Sequence, residues 1–434
     1  MTTTRQPGDT GHRRRDGVSR RRHRPAALPS FSGNLSWSVA GNGGYALCQW
    51  FVLVVIARLG NPGMVGDYAL GLAVGAPIVL LGNLSLRTVL VTDPNGDHPF
   101  RRYLSIRLAG MALAMGAVSA AVVLFDLPAA VVLLVGAAKA FDGAGDIYLG
   151  LLQRHHDQRS IAIAQLVNGG LTVTMVAALL YGTSSIAWAA AGSAGASLLT
   201  WVVCCVPFAG RFHNRPDPRT RQHTHRAAGG VAELLWIALP LGLASGLSSL
   251  TINVPRYALE HRLGATALGV FAAAGFLVLT GNVFFSAIAQ TLLPRLTQLR
   301  RNGTPAGFRS LLVQSLLGVG VAGGLGVWAA ALFGAGVLRR LYGWQYAGAE
   351  AGRVLTVLTL ATALGGVCFV LDAGLSAARR FTGQLAVNGV VLVTAALAAL
   401  ALVPRYGALG AAWTTAVAAA VHCGLKWEVL RRAL

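Results

Sequence analysis

The sequence predicts an all-α polytopic membrane protein, with about twelve transmembrane helices in two six-helix lobes related by a pseudo-two-fold axis along the membrane normal. Three observations predict it. Apolar windows of about 20 residues, the length that crosses a bilayer, recur along almost the whole chain. Basic residues are dense in alternate gaps between those windows and sparse in the others. Short motifs of the first half return, in the same order, in the second. Composition agrees: 54% of residues are hydrophobic, mean hydropathy is +0.59, and only 12% are charged, about half the share of a soluble domain. A water-soluble fold could not bury that much apolar surface without exposing large sticky patches.

Taken in order, residues 1–34 form a polar tail with eight arginines in its first 24 positions, expected to be disordered, cytoplasmic and in contact with anionic membrane lipid. The first span, 35–57, ends at Arg58-Leu59-Gly60, and the second, 64–86, ends at Arg87. The basic stretch FRRYLSIR leads into the third, 103–125, and the fourth, 128–150, carries three charges. QRHHDQR precedes the fifth, 160–181, and Ala187-Trp188 opens the sixth, 186–208. These six make an N-terminal lobe, 35–208, and a basic linker, 209–230, joins it to a C-terminal lobe, 231–434. There the spans are 231–253, 266–292, 310–335, 353–376, 382–403 and 408–428.

Charge sets the expected orientation. One side of the membrane collects 28 Lys or Arg and the other 7, and without the tail the ratio is still 20 to 7. The positive-inside rule then places both termini in the cytoplasm. The net charge of +21 lies in these gaps rather than in one groove, so nucleic acid is not the expected partner.

The halves echo one another. RLGNPGMVGDYALG (58–71) precedes span two, and RLGATALGVFAAAG (262–275) precedes span eight. Tyr181-Gly182 stands four residues before Ala187-Trp188, and Tyr406-Gly407 stands four before Ala412-Trp413. AQLVN (164–168) opens span five and GQLAVN (383–388) span eleven. Six-span repeats preserve orientation, which makes them parallel repeats with a seam between two bundles, an architecture suited to alternating access.

The candidate chemistry lies in span four, VVLLVGAAKAFDGAGDIYLGLL. Lys139, Asp142 and Asp146 stand at i, i+3 and i+7 and share one helix face. Charge near the bilayer centre costs about 2.5–3.5 kcal/mol per residue, so this face must meet protein or water. Two readings fit. Lys139 meets an anionic substrate while Asp142 or Asp146 carries a coupling ion, or a Lys–Asp pair fixes helix packing. Arg87 either greets a phosphate from the cytoplasm or marks the membrane edge. Arg256 either lines the outer mouth of the seam or anchors the interface. Asp372 and Arg353 in span ten are weaker candidates, and Asn83, Asn253 and Asn388 suit interhelical hydrogen bonds.

No G-x-x-x-x-G-K-[ST] loop, catalytic triad order or metal-ligand spacing occurs, so no catalytic residue, cofactor or metal is assigned and an enzyme is not expected. The five cysteines all fall in apolar runs, as small packing residues do.

NVPRYALEHRLGATALGVFAAAGFLVLTGNVFFSAIAQTLLPRL (253–296) resembles the seventh and eighth spans of bacterial polysaccharide flippases of the multidrug/oligosaccharidyl-lipid/polysaccharide exporter superfamily. LGNLSLRTVLVTD (81–93) and LVPRYGALGAAW (402–413) support the likeness, which covers nearly all of 35–430. The resemblance implies two six-helix lobes around a cavity. It also implies transport of a polyprenyl-pyrophosphate-linked oligosaccharide from the cytoplasmic to the outer leaflet, beside a polysaccharide polymerase or glycosyltransferases. Related lipid flippases concentrate cavity arginines in the first span, whereas Trp37 to Ala57 holds none, which leaves Lys139, Arg87 or Arg256 for the pyrophosphate. Two other functions compete: a cation antiporter of the same superfamily, for which Asp142 and Asp146 would supply an acidic cavity, and a membrane glycosyltransferase or ligase, which would need catalytic residues on sizeable outer loops.

Overall fold

The structure is a computed structural model and describes residues 31–93, 98–213, 230–302, 304–378 and 384–432. The predicted tail, except its last four residues, and most of the predicted linker lie outside them. Every long element is a helix: α1 Phe31–Leu59, α2 Pro62–Asn83, α3 Leu86–Thr92, α4 Phe100–Leu124, α5 Ala129–Arg154, α6 Gln158–Thr183, α7 Ile186–Thr200, α8 Val206–His213, α9 Val231–Arg301, α10 Pro305–Tyr342, α11 Ala349–Ala377 and α12 Gln384–Arg431. A π-turn at Trp201–Cys205 joins α7 to α8 without ending the helix.

Nine stretches among the described residues are helical, long and apolar enough to cross a membrane. Two of them are double. α9 breaks at Gly264 (φ 76°) and α12 at Gly407 (φ 55°), conformations that glycine adopts without steric cost. α5 has the length of a span, 26 residues, but Lys139, Asp142 and Asp146 interrupt its apolar run. Twelve crossing segments result, six in each lobe.

The repeated motifs mark the reversals. Arg58-Leu59-Gly60 ends α1, and α2 then starts on Pro62 with the Asn61 side chain capping the Met64 N–H at 3.0 Å. Arg262-Leu263-Gly264 makes the matching break inside α9. The expected gap at 254–265 is therefore absent. α9 stays helical through NVPRYALEHR, Pro255 included, and breaks only at Gly264, where the backbone turns to positive φ. Arg256 lies eight residues before the break, about 12 Å inside it, deeper than the outer mouth that one of its two readings gave it.

The lobes meet chiefly where α2 lies antiparallel along α9. Leu84 approaches Gly242, the Tyr257 hydroxyl donates to the Ala73 carbonyl, and a Cβ on Gly66 would strike the Ala265 carbonyl. One core closes the Arg58 end of the molecule with residues of both lobes, among them Ile56, Tyr68, Val135, Phe271, Tyr342 and Ala411. Toward the opposite end the cores divide. Phe285, Leu296, Phe308 and Leu371 pack within the second lobe. Leu86, Leu90, Tyr103 and Ile147 pack within the first, joined there by Leu234 and Ala238 from the start of α9. The lobes are thus sealed at one end and held as separate bodies at the other, bridged by α9.

Candidate functional site

Helix α5 carries the site because its i, i+3, i+7 spacing keeps three charges on one face. Lys139 Nζ lies 3.0 Å from Asp142 Oδ2, and Asn168 on α6 donates to Asp142 Oδ1 at 2.9 Å. One turn further on, Asp146 joins two arginines from two other helices. Its Oδ1 is 2.7 Å from Arg87 Nη1 on α3, and its Oδ2 is 3.4 Å from Arg107 Nη2 on α4. Arg87 also donates from Nε to Gln153 at 2.9 Å, and Arg107 donates to the Asn83 side-chain oxygen. Three cations face two carboxylates, so the cluster keeps one positive charge.

A cleft of about 150 Å³ opens onto this cluster and is lined by Tyr45, Arg87, Asp142, Asp146, Asn168 and Trp201, among others. It has room for about five waters and falls short of the roughly 300–1,000 Å³ typical of organic-ligand pockets. It suits water, a proton or a small ion better than a sugar. Lys139 does not line it; its ammonium is tied to Asp142.

The structure therefore gathers Lys139, Asp142, Asp146 and Arg87, and leaves Arg256 apart. Arg256 is half-buried on α9 beside the α2 seam. It donates to Asn253 Oδ1 at 2.9 Å and lies 5.7 Å from the centre of the Phe276 ring. No carboxylate among the described residues pairs with it within 4.0 Å. Of Lys139, Arg87 and Arg256, it alone has no acidic partner among the described residues.

Two charged residues escape the sequence reading. Arg107 has a fully buried side chain (0% exposed) although it belongs to the FRRYLSIR stretch read as a membrane-edge signal. The usable signal was depth: α4 begins at Phe100, so Arg107 sits about 10 Å inside. Lys426, on α12, forms an ion pair with Asp372 on α11 at 2.8 Å. All five cysteines are free thiols, and no group of three or more His, Cys, Asp or Glu among the described residues could hold a metal.

A family model described as "Polysaccharide biosynthesis protein" matches residues 32–300. The chain is 26% identical over 394 residues to the "Capsular polysaccharide biosynthesis protein CapF" of Staphylococcus aureus, covering 88% of this chain and 95% of that one. Among solved structures, the fold is similar to lipid II flippase MurJ in an inward closed conformation, with TM-score 0.68 at 12% identity over 92% of this chain and 87% of that one. It is also similar to a multidrug resistance transporter of the MATE family and MOP superfamily in an inward-facing conformation. There the TM-score is 0.66 at 15% identity, over 89% and 94% of the two chains.

Proposed function

The chain belongs to the polysaccharide biosynthesis protein family, and from that premise we propose that it flips a polyprenyl-pyrophosphate-linked oligosaccharide from the cytoplasmic to the outer leaflet. The observation that carries this reading is the unpaired Arg256 at the seam of two lobes that are joined at one end only. The physical task is to take a sugar headgroup and two phosphates across about 30 Å of hydrocarbon. The lipid tail can remain in the bilayer while the headgroup passes along the wet seam. A cation already paired with a carboxylate has little left for a phosphate; Arg256 has its charge to offer.

With both termini cytoplasmic, the Arg58 end is the outer end, and the structure corresponds to a state that receives substrate from inside. The α5 cluster then links transport to an ion. A proton on Asp146 would release Arg87 toward the pyrophosphate, and one on Asp142 would release Lys139 in the same way. Asp142 and Asp146 act as coupling groups, and Arg87 and Lys139 as conditional phosphate ligands. Lobe rocking exposes the seam first inward and then outward.

The short connections at the Arg58 end favour transport over glycosyl transfer. Residues 60–61, 125–128, 184–185 and 343–348 and the glycine breaks at 264 and 407 leave no outer loop for a catalytic pair. A polymerase or glycosyltransferase is then a neighbour in the pathway, and the basic tail meets anionic lipid of the plasma membrane.

The test is a strain deleted for this gene. It should accumulate lipid-linked sugar and lose surface glycan. Wild type should restore both, and Arg256→Ala, at equal protein level, should restore neither. Normal glycan with new sensitivity to cationic drugs would instead identify an antiporter.

A further inference from the structure

The chain has 36 basic residues other than histidine, and only Lys139 and Lys426 are lysines. Both lie inside spanning helices, and both are paired with an aspartate. Where arginine is the default cation, lysine at these two places calls for a physical reason. An arginine fork binds both oxygens of a carboxylate and never loses its charge, whereas an ammonium is a point charge that leaves one oxygen open.

The two pairs are built differently. Lys139 and Asp142 share one helix, and Asn168 occupies the second carboxylate oxygen. Lys426 and Asp372 bridge α12 and α11, and among the described residues only Oδ2 of Asp372 is engaged, at 2.8 Å. The Lys426 side chain is 8% exposed and that of Asp372 39% exposed, so the cation is enclosed while the carboxylate keeps an open side. His422 stands one turn before Lys426 on α12, and its Nε2 is buried without a hydrogen-bond partner. An orphan imidazole nitrogen beside a half-open carboxylate marks a place for a proton and the water that delivers it.

We propose that Asp372, with Lys426 as its tethered counter-cation and His422 beside it, is a proton-binding site of the second lobe. This rests on the flippase reading only for its role in transport. A proton from water adds to Asp372 Oδ1, and hydroxide or buffer base remains in solution. The carboxylate becomes neutral, the pair loses its ion-ion attraction, and Lys426 keeps its charge. α11 and α12 are then less tightly clamped, which gives the second lobe a proton-dependent state. The ammonium takes the place of a mobile metal cation, so the site needs no sodium.

Among the described residues, few titratable groups face the pair. α11 adds Cys368, one turn from Asp372, and α12 adds His422 and Cys423, whose thiol donates to the Leu364 carbonyl at 3.0 Å. α9 after its break and α10 contain only arginines and Tyr342. Glu428 is engaged by Arg431 and Arg432 at the end of α12.

The test is infrared difference spectroscopy of the full chain in phosphatidylethanolamine–phosphatidylglycerol vesicles during stepwise acidification. Wild type should develop a carboxylic-acid C=O band that Asp372→Asn lacks. Lys426→Gln should move its midpoint to higher pH, and Lys426→Arg to lower pH by about tenfold in proton concentration or more, since a guanidinium holds the carboxylate more firmly. Exchange of sodium for potassium should change nothing. Identical spectra from wild type and Asp372→Asn, even with lowered thermal stability, would leave only a structural clamp and overturn the proposal. A sodium-dependent midpoint would also overturn it. If the band titrates as described but wild type fails to restore export in the deletion strain, the proton site stands and the flippase reading falls. Full export by Asp372→Asn would refute the site's role in transport.

Discussion

Arg107 shows how far a charge can be carried into an apolar protein when its partners come with it. Its guanidinium is shared between Asn83 and Asp146, and Asp146 in turn engages Arg87. Removing one member of such a buried group costs more than removing the group. Asp146→Asn should therefore lower stability by about 3–5 kcal/mol, because it leaves Arg107 enclosed and unpaired. Asp146→Asn with Arg107→Met should recover a good part of that loss in detergent unfolding experiments. Equal destabilisation by the single and double variants would contradict the shared-charge account. Arg256→Ala should behave oppositely. It forfeits a cation–π contact of about 0.5–1 kcal/mol, leaves no carboxylate stranded, and should abolish export while the protein remains folded. At this scale the sequence exposes what lies on one helix. The i, i+3 pair of Lys139 and Asp142 was readable from spacing alone. The contacts of Asp146 with α3 and α4, and of Lys426 with α11, join residues far apart in sequence, and no local pattern announces them.

At the scale of elements, apolar windows place the spans well and their breaks poorly. Hydropathy falls at NVPRYALEHR and suggests a loop, yet α9 continues, since charged and polar side chains can hold a helix near its end. A single glycine sets the reversal, and the repeated R-L-G motif was the readable sign of it. A Cβ at Gly264 would meet no atom within 4 Å, so Gly264→Ala tests conformation alone. It should cost about 1–3 kcal/mol, the usual strain of a non-glycine residue in that region. Gly269 is the contrasting case. A Cβ there would fall on the Pro62 carbonyl, so Gly269→Ala should push α2 from α9, and Gly264→Ala should not. Distances between spin labels on α2 and α9 would separate strain from displacement.

At the scale of the whole molecule, the closed end has an identifiable latch. Arg58 donates to the Leu341 carbonyl at 2.7 Å and to the Arg340 carbonyl, at the C-terminal end of α10. Trp50 Nε1 donates to the Tyr342 hydroxyl at 2.8 Å. A cation at a helix C-terminus satisfies carbonyls that have no partner within the helix. These bonds join the first lobe to the second and must break before that end can open. Arg58→Ala with Tyr342→Phe should raise the population open at the Arg58 end, read as greater labelling of a cysteine introduced at Phe271. Unchanged labelling would show that the apolar core alone holds the end shut. Two lobes and the repeat were legible before the structure, because they are statistical properties of long segments. Which end is closed depends on packing between lobes, and no single segment carries that information. The most direct test of alternating transport is the leaflet in which the lipid-linked sugar resides. In spheroplasts, the fraction of it cleaved by an external glycosidase should be high with the wild-type protein, and it should fall to background with Arg256→Ala or with no protein. Equal cleavage with and without the protein would contradict the account.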